Sequence, residues 1–252
     1  MLARLARLDS KLLSPITHRN RAAQMDLAVV KSRDALVRSR SSLISFVRGI
    51  LKTAGIAAPK CSAPAFAKVV LGMGLDGPLA EAVLPVLESI ETLTVKIRRL
   101  DHRIEEMCRQ KYPETTRLRQ VTGVGPVTAP AFVLTLEDPK RFRKSRDVSP
   151  YRGLVPRRDQ SGACDKPLPI TKAGNVYLRR LLGCANYIPG PFGPDCDLRR
   201  YGLRICARGG KIARRKAKAA AARKPAVLLH RLWKTGEKYE PLRGKSGNHQ
   251  AA

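Results

Sequence analysis

The chain has 252 residues, enough for one large or two small domains with a packed core. It carries 49 Lys and Arg against 20 Asp and Glu, a formal charge of +29, which is beyond what solubility needs and points to a polyanionic partner. Six cysteines without a C-x-x-C pair, four scattered histidines and no apolar run of membrane-spanning length argue against a zinc centre, a disulfide framework and a membrane protein. Free thiols fit a reducing cytoplasm.

The charge is uneven. Residues 1–140 hold 22 basic and 13 acidic side chains, and residues 141–252 hold 27 and 7, so the electrostatic footprint belongs to the C-terminal part. At the other end, Met1 to Leu8 has helical periodicity without an N-terminal cap, and Ser14-Pro15 closes it. His18 to Thr53 reads as a long amphipathic helix with Leu27, Val30, Leu36, Val37, Leu43, Ile44, Val47 and Leu51 on its apolar side. Residues 54–80 are rich in Ala, Pro and Gly and read as a linker with a short helix near 64–71.

Val83, Val86, Ile90, Leu93, Ile97, Leu100, Ile104 and Met107 then alternate in steps of three and four. That is the a/d pattern of a coiled coil, roughly 36 Å long at about 1.5 Å per residue. Two readings stand open: a helix laid along its own core, or a seam joining two copies of the chain. After Tyr112-Pro113, residues 118–129 fit a helix-hairpin-helix. Gly123 and Gly125 permit its tight turn, and the outward N–H groups suit a phosphate, the alternative being a plain helical corner. Pro130 and Pro225 both fall inside predicted helices, where an interior proline costs about 3 kcal/mol.

Arg141 to Arg146 forms a basic loop whose Arg143, Lys144 and Arg146 either bind phosphate or are merely solvated. Beyond it, Gly153 to Gly162 is punctuated by Pro156, Asp159 and Gly162 and reads as a loop that presents Ser161. A hydroxyl among Arg157, Arg158 and Lys172, with no His beside it in sequence, suits attack on a phosphodiester, with cations offsetting charge at phosphorus. The alternative is an ordinary turn serine. Asn175 then caps a helix whose apolar face is Tyr177, Leu178, Leu181 and Leu182, with Arg179 and Arg180 off that face and counted among the DNA-binding candidates. Tyr187 to Asp197 is a Gly/Pro-rich loop, Leu198 to Ala207 a helix ended by Gly209-Gly210. Lys211 to Trp233 is an Ala-, Lys- and Arg-rich helix whose Arg214, Arg215, Lys216 and Lys218 suit phosphate contacts.

The order Gly-Val-Gly-Pro-Val-Thr-Ala (123–129), Tyr-Arg-Gly-Leu-Val-Pro (151–156), Asp-Gln-Ser-Gly (159–162), Ile-Thr-Lys-Ala-Gly-Asn-Val-Tyr-Leu-Arg-Arg-Leu-Leu (170–182) and Gly-Pro-Phe-Gly-Pro-Asp-Cys-Asp-Leu-Arg-Arg (190–200) resembles one group. These are the insertion-sequence transposases with a RuvC-like DEDD nuclease domain, a coiled coil and a serine-bearing C-terminal domain, guided by a bridge RNA. The resemblance implies DNA transposition, with Ser161 matching the serine that links covalently to DNA. It also implies a guide RNA partner, a bacterial nucleoid-associated location, and Mg²⁺ held by four carboxylates. By the same resemblance those carboxylates lie upstream of Met1, so no metal ligand is expected in this chain. It then reads as a C-terminal fragment, an N-terminally truncated copy of a gene that the two interior prolines suggest is decaying, or a chain with a misplaced start, and a catalytically inactive, dimeric nucleic-acid-binding protein is the alternative function.

The expected fold is mostly α: a remnant of the RuvC-like domain at 1–60, linker and coiled coil at 61–112, a C-terminal transposase domain at 113–242 and a disordered tail at 243–252. DNA and a homo-oligomer through residues 83–107 are the expected partners.

Overall fold

A computed structural model of the chain describes residues 7, 9, 20–151, 153–161, 164–183 and 193–243, without the side chains of Arg158 and residues 164–167. The expected opening helix apart from residues 7 and 9, the loop at 187–192 and the tail after 243 lie outside the described residues. The chain is mostly helical.

Helix α1 (Arg21–Thr53) begins where the Asn20 side chain accepts from the Ala22 N–H, closing one of the unpaired donors of the first turn. The short α2 (Phe66–Leu71) lies in the linker, and α3 (Gly77–Lys111) carries the heptad pattern. The apolar face of α1 is covered by α3, which runs back along it: Arg33 meets Asp101 at 2.8 Å, Arg40 meets Thr94 at 3.2 Å and Lys111 reaches Asp26 at 3.1 Å. Early residues of one helix thus face late residues of the other, an antiparallel hairpin. Val83, Ile90, Ile97, Ile104 and Met107 are buried in the single chain, so the seam is filled by α1.

Two apolar cores divide the hairpin. The outer one joins Ile44, Val47 and Leu51 to Val83, Leu87 and Ile90, with Phe66 and Val70 of α2 packed in. The inner one joins Leu27 and Val30 to Ile104 and Met107 and runs on without a break into the C-terminal half. Between them lie the Arg33–Asp101 and Arg40–Thr94 layers. Arg40 is only 8% exposed, its Nε has no partner among the described residues, and burial, followed by the charge on Arg33, lowers its pKa.

The C-terminal half packs short helices around one long one. These are α4 (Glu114–Leu118), α5 (Thr128–Leu136), α6 (Val148–Tyr151), α7 (Val176–Gly183) and α8 (Asp197–Cys206), with α9 (Gly210–Thr235) as the axis. Helix α5 is buried along its whole length because it is apolar all round. Pro130 is its third residue and still in the first turn, where an N–H has no helical partner to lose. It therefore costs nothing of the kind expected for an interior proline. Pro225 does lie inside α9 and is buried there, and Pro85 is a further interior proline in α3.

Candidate nucleic-acid interface

The region around Ser161 corrects the sequence expectation of a loop. Residues 156–170 form a two-stranded antiparallel ribbon, β1 (Pro156–Ser161) against β2 (Cys164–Ile170), with Ser161 opposite Cys164 at its last rung and Pro156 opposite Ile170 at its base. An irregularity between Pro156 and Arg158 shifts the register. Both strands are edges, which is where Pro167 and Pro169 can sit without breaking a central ladder. Ser161 is exposed, and strand alternation places Asp159 on its face of the ribbon. Asp159, read in the sequence only as a turn former, is exposed on that face.

The base of the ribbon is fixed by backbone contacts. The Thr171 N–H donates to the Val155 carbonyl at 2.9 Å and the Lys172 N–H to the Gly153 carbonyl at 3.2 Å. Residues 172–173 press on Gly153 so closely that a Cβ there would stand 2.1 Å from the Ala173 oxygen, and Gly153 has φ +64° besides. Lys172 itself holds φ +55°, uncommon outside glycine and a mark of local constraint. Its side chain is exposed, as is that of Arg157.

Helix α7 follows, capped as expected by Asn175, whose Oδ1 accepts from the Leu178 N–H at 3.0 Å. Its two arginines, offered by the sequence as DNA contacts, are both engaged within the chain, although Arg180 stays exposed. Arg179 donates to the Ala173 carbonyl at 3.2 Å, and Arg180 forms an ion pair with Asp34 of α1, which Arg38 also approaches. Their positions brace the ribbon against the helical hairpin. Tyr177 completes the brace by donating to the Val30 carbonyl at 3.3 Å; burial, followed by the charge on Asp34, pushes its pKa up to about 12.

The turn between α4 and α5 has Gly123 at φ +83°, while Gly125 has ordinary φ, and a Cβ placed on it would meet no atom within 4 Å. Tyr239 reaches Thr122 of this turn at 3.4 Å. The basic stretch at 141–146 is folded into two 3-10 turns, Pro139–Arg141 and Ser145–Asp147, closed by Asp138 accepting from the Lys140 N–H and Asp147 from the Lys144 N–H. Arg143, Lys144 and Arg146 remain exposed. On α9, Ala213, Ala217 and Ala221 form a buried stripe while Arg214, Arg215, Lys216 and Lys218 face solvent. Among the described residues no group of three or more His, Cys, Asp or Glu is placed to hold a metal ion.

Comparison with known proteins bears on this same stretch. The chain is 31% identical over 174 residues to a probable family 20 transposase of Pseudomonas aeruginosa, covering 67% of this chain and 51% of that protein. It is 31% identical over 162 residues to the transposase for insertion sequence element IS1111A of Coxiella burnetii, covering 62% and 44%. It is 32% identical over 174 residues to the transposase for IS1328 of Yersinia enterocolitica, covering 66% and 50%. The chain thus spans about half the length of the relatives it matches. These matches relate it to the insertion-sequence transposases. More narrowly, residues 115–186 match the model of the transposase IS116/IS110/IS902 family. That segment holds Gly123, Gly125, the 141–146 loop, Ser161, Lys172 and α7, whereas the cations of α9 lie outside it.

Proposed function

We propose that the chain acts in DNA transposition of an insertion sequence, with Ser161 as the nucleophile that becomes linked to DNA. The observation that carries the reading is an exposed serine at the last rung of a ribbon whose base is fixed, inside the segment that matches the transposase family. In the proposed step the Ser161 hydroxyl gives its proton to solvent as Oγ bonds to phosphorus, and the bond from phosphorus to one deoxyribose oxygen breaks, that oxygen taking up a proton, so that the products are a phosphoserine diester and a DNA end with a free hydroxyl. Arg157, Arg158 and Lys172 lie towards or beyond the base of the ribbon, several residues from Ser161, and there hold neighbouring phosphates of the same DNA rather than the one attacked. Gly123 and Gly125, the 141–146 loop and α9 hold the flanking backbone without reading sequence. The same cations suit the guide RNA that the resemblance implies. Pairing of two chains through residues 83–107 would draw on the half-buried Val86, Leu93 and Leu100 and the exposed Leu84 and Val95, because the rest of the seam faces α1.

The test is trapping of denaturant-resistant protein–DNA adducts on a duplex carrying the insertion-sequence ends. Ser161→Ala should abolish the adduct and leave binding within a few-fold. Adducts that persist in the variant assign the nucleophile elsewhere. Unmutated chain that binds DNA but never forms the adduct supports the second reading, a non-catalytic nucleic-acid-binding protein, which the exposed cations of α9 favour because they need no serine.

A further inference from the structure

The basic loop at 141–146 is held from below by α9. His230 is fully buried, with Nε2 at 2.8 Å from the Pro139 carbonyl and Nδ1 at 2.9 Å from the Ser145 hydroxyl. A carbonyl only accepts, so Nε2 carries a proton; in the neutral ring Nδ1 then accepts from Ser145. One turn further along α9, Lys234 donates to the carbonyls of Phe142 and Arg143, at 3.4 and 3.1 Å. Phe142 lies edge-on to both His230 and Tyr151, at 5.8 and 5.3 Å between ring centres. Both ends and the middle of the loop are therefore tied to one helix, and its three outward cations, Arg143, Lys144 and Arg146, are in no ion pair among the described residues. This differs from Arg33, Arg119, Arg180 and Arg200, which all pair with carboxylates.

We propose that His230 is a positioning residue for phosphate binding: with Ser145 it clasps the 141–146 loop to α9 so that Arg143, Lys144 and Arg146 meet successive phosphates as one preset group. The proposal rests on the reading that this loop contacts the nucleic-acid backbone. A loop already ordered loses less conformational entropy on binding than a free one, so the clasp acts through the number of phosphates held at once. It touches no phosphate itself.

The experiment measures binding of the full chain to duplex DNA between about 50 and about 200 mM salt. Replacing Arg143, Lys144 and Arg146 together by Ala should flatten the log–log slope by up to about 2.7 units, at about 0.9 per phosphate. An unchanged slope in that triple variant sinks the parent reading. His230→Phe keeps an aromatic ring beside Phe142 but removes both ring nitrogens. It should flatten the slope by about 1 to 2 units and weaken binding roughly tenfold or more near 0.1 M salt. His230→Gln, which keeps a donor toward Pro139, should recover part of the slope. If the triple variant flattens the slope while folded His230→Phe keeps it, the clasp is overturned and the loop reading stands. Should His230→Phe fail to fold, Ser145→Ala opens the clasp from its solvent side and is read by the same two outcomes.

Discussion

Two glycines of the family-matched segment answer differently to a methyl group. At Gly153 an added Cβ meets backbone atoms of Ala173 and Lys172 at 2.1 to 2.7 Å, in a left-handed conformation. Gly153→Ala should therefore cost about 2 kcal/mol or more and free the base of the Ser161 ribbon. Thermal unfolding checks this, and a midpoint unchanged from the parent would mean that residues 172–173 do not pass over Gly153. At Gly125 the same methyl meets nothing and φ is ordinary, so Gly125→Ala should leave stability within about 0.5 kcal/mol. If the turn approaches a phosphate closely, this silent substitution should still weaken DNA binding; equal affinity would remove Gly125 from the interface.

Among the elements, helices were legible and the ribbon was not. The long helices announced themselves through apolar steps of three and four, and α7 through Asn175 ahead of its apolar face. The ribbon has no such mark: Arg157, Arg158, Asp159, Gln160 and Ser161 are polar in unbroken succession, so no alternation separates an inner from an outer face. Its order comes from Gly153 and the strand partner, which local pattern does not reveal. The heptads of α3 were legible as a seam, but periodicity says nothing of which helix fills it. Arg33 and Arg40 hold the clue, since both interrupt the matching face of α1. Arg40 is the costlier of the two, a guanidinium that meets a threonine hydroxyl instead of a carboxylate. Arg40→Leu should leave the chain as stable or raise its stability by about 1 kcal/mol or more, while Thr94→Val should lower it by about 1 to 3 kcal/mol. A clear loss in Arg40→Leu, measured by denaturant unfolding, would show that the buried charge is paired.

For the whole molecule, the uneven charge pointed toward the C-terminal half, where most of the family match falls, but the site is assembled from parts that sequence separates widely. His230 and Lys234 sit some ninety positions from the loop they tie, and Asp34 is far from Arg180. A single histidine amid four had no pattern to single it out; only its burial against Ser145 and Pro139 does. The polar layers of the helical hairpin have a consequence for motion. They interrupt apolar contact between the outer core at Ile44–Leu51 and Val83–Ile90 and the inner core that continues into the C-terminal half. Cooperative opening propagates through continuous packing and stalls where packing breaks. The outer end should therefore unzip on its own, exchanging its amide hydrogens through partial openings while the amides of α5, fully enclosed, wait for global unfolding. Followed by mass spectrometry in deuterated water, residues 44–51 and 83–90 should label as one block well before residues 129–136. Simultaneous labelling of both blocks would mean that the hairpin and the body beneath it rise and fall as a single unit.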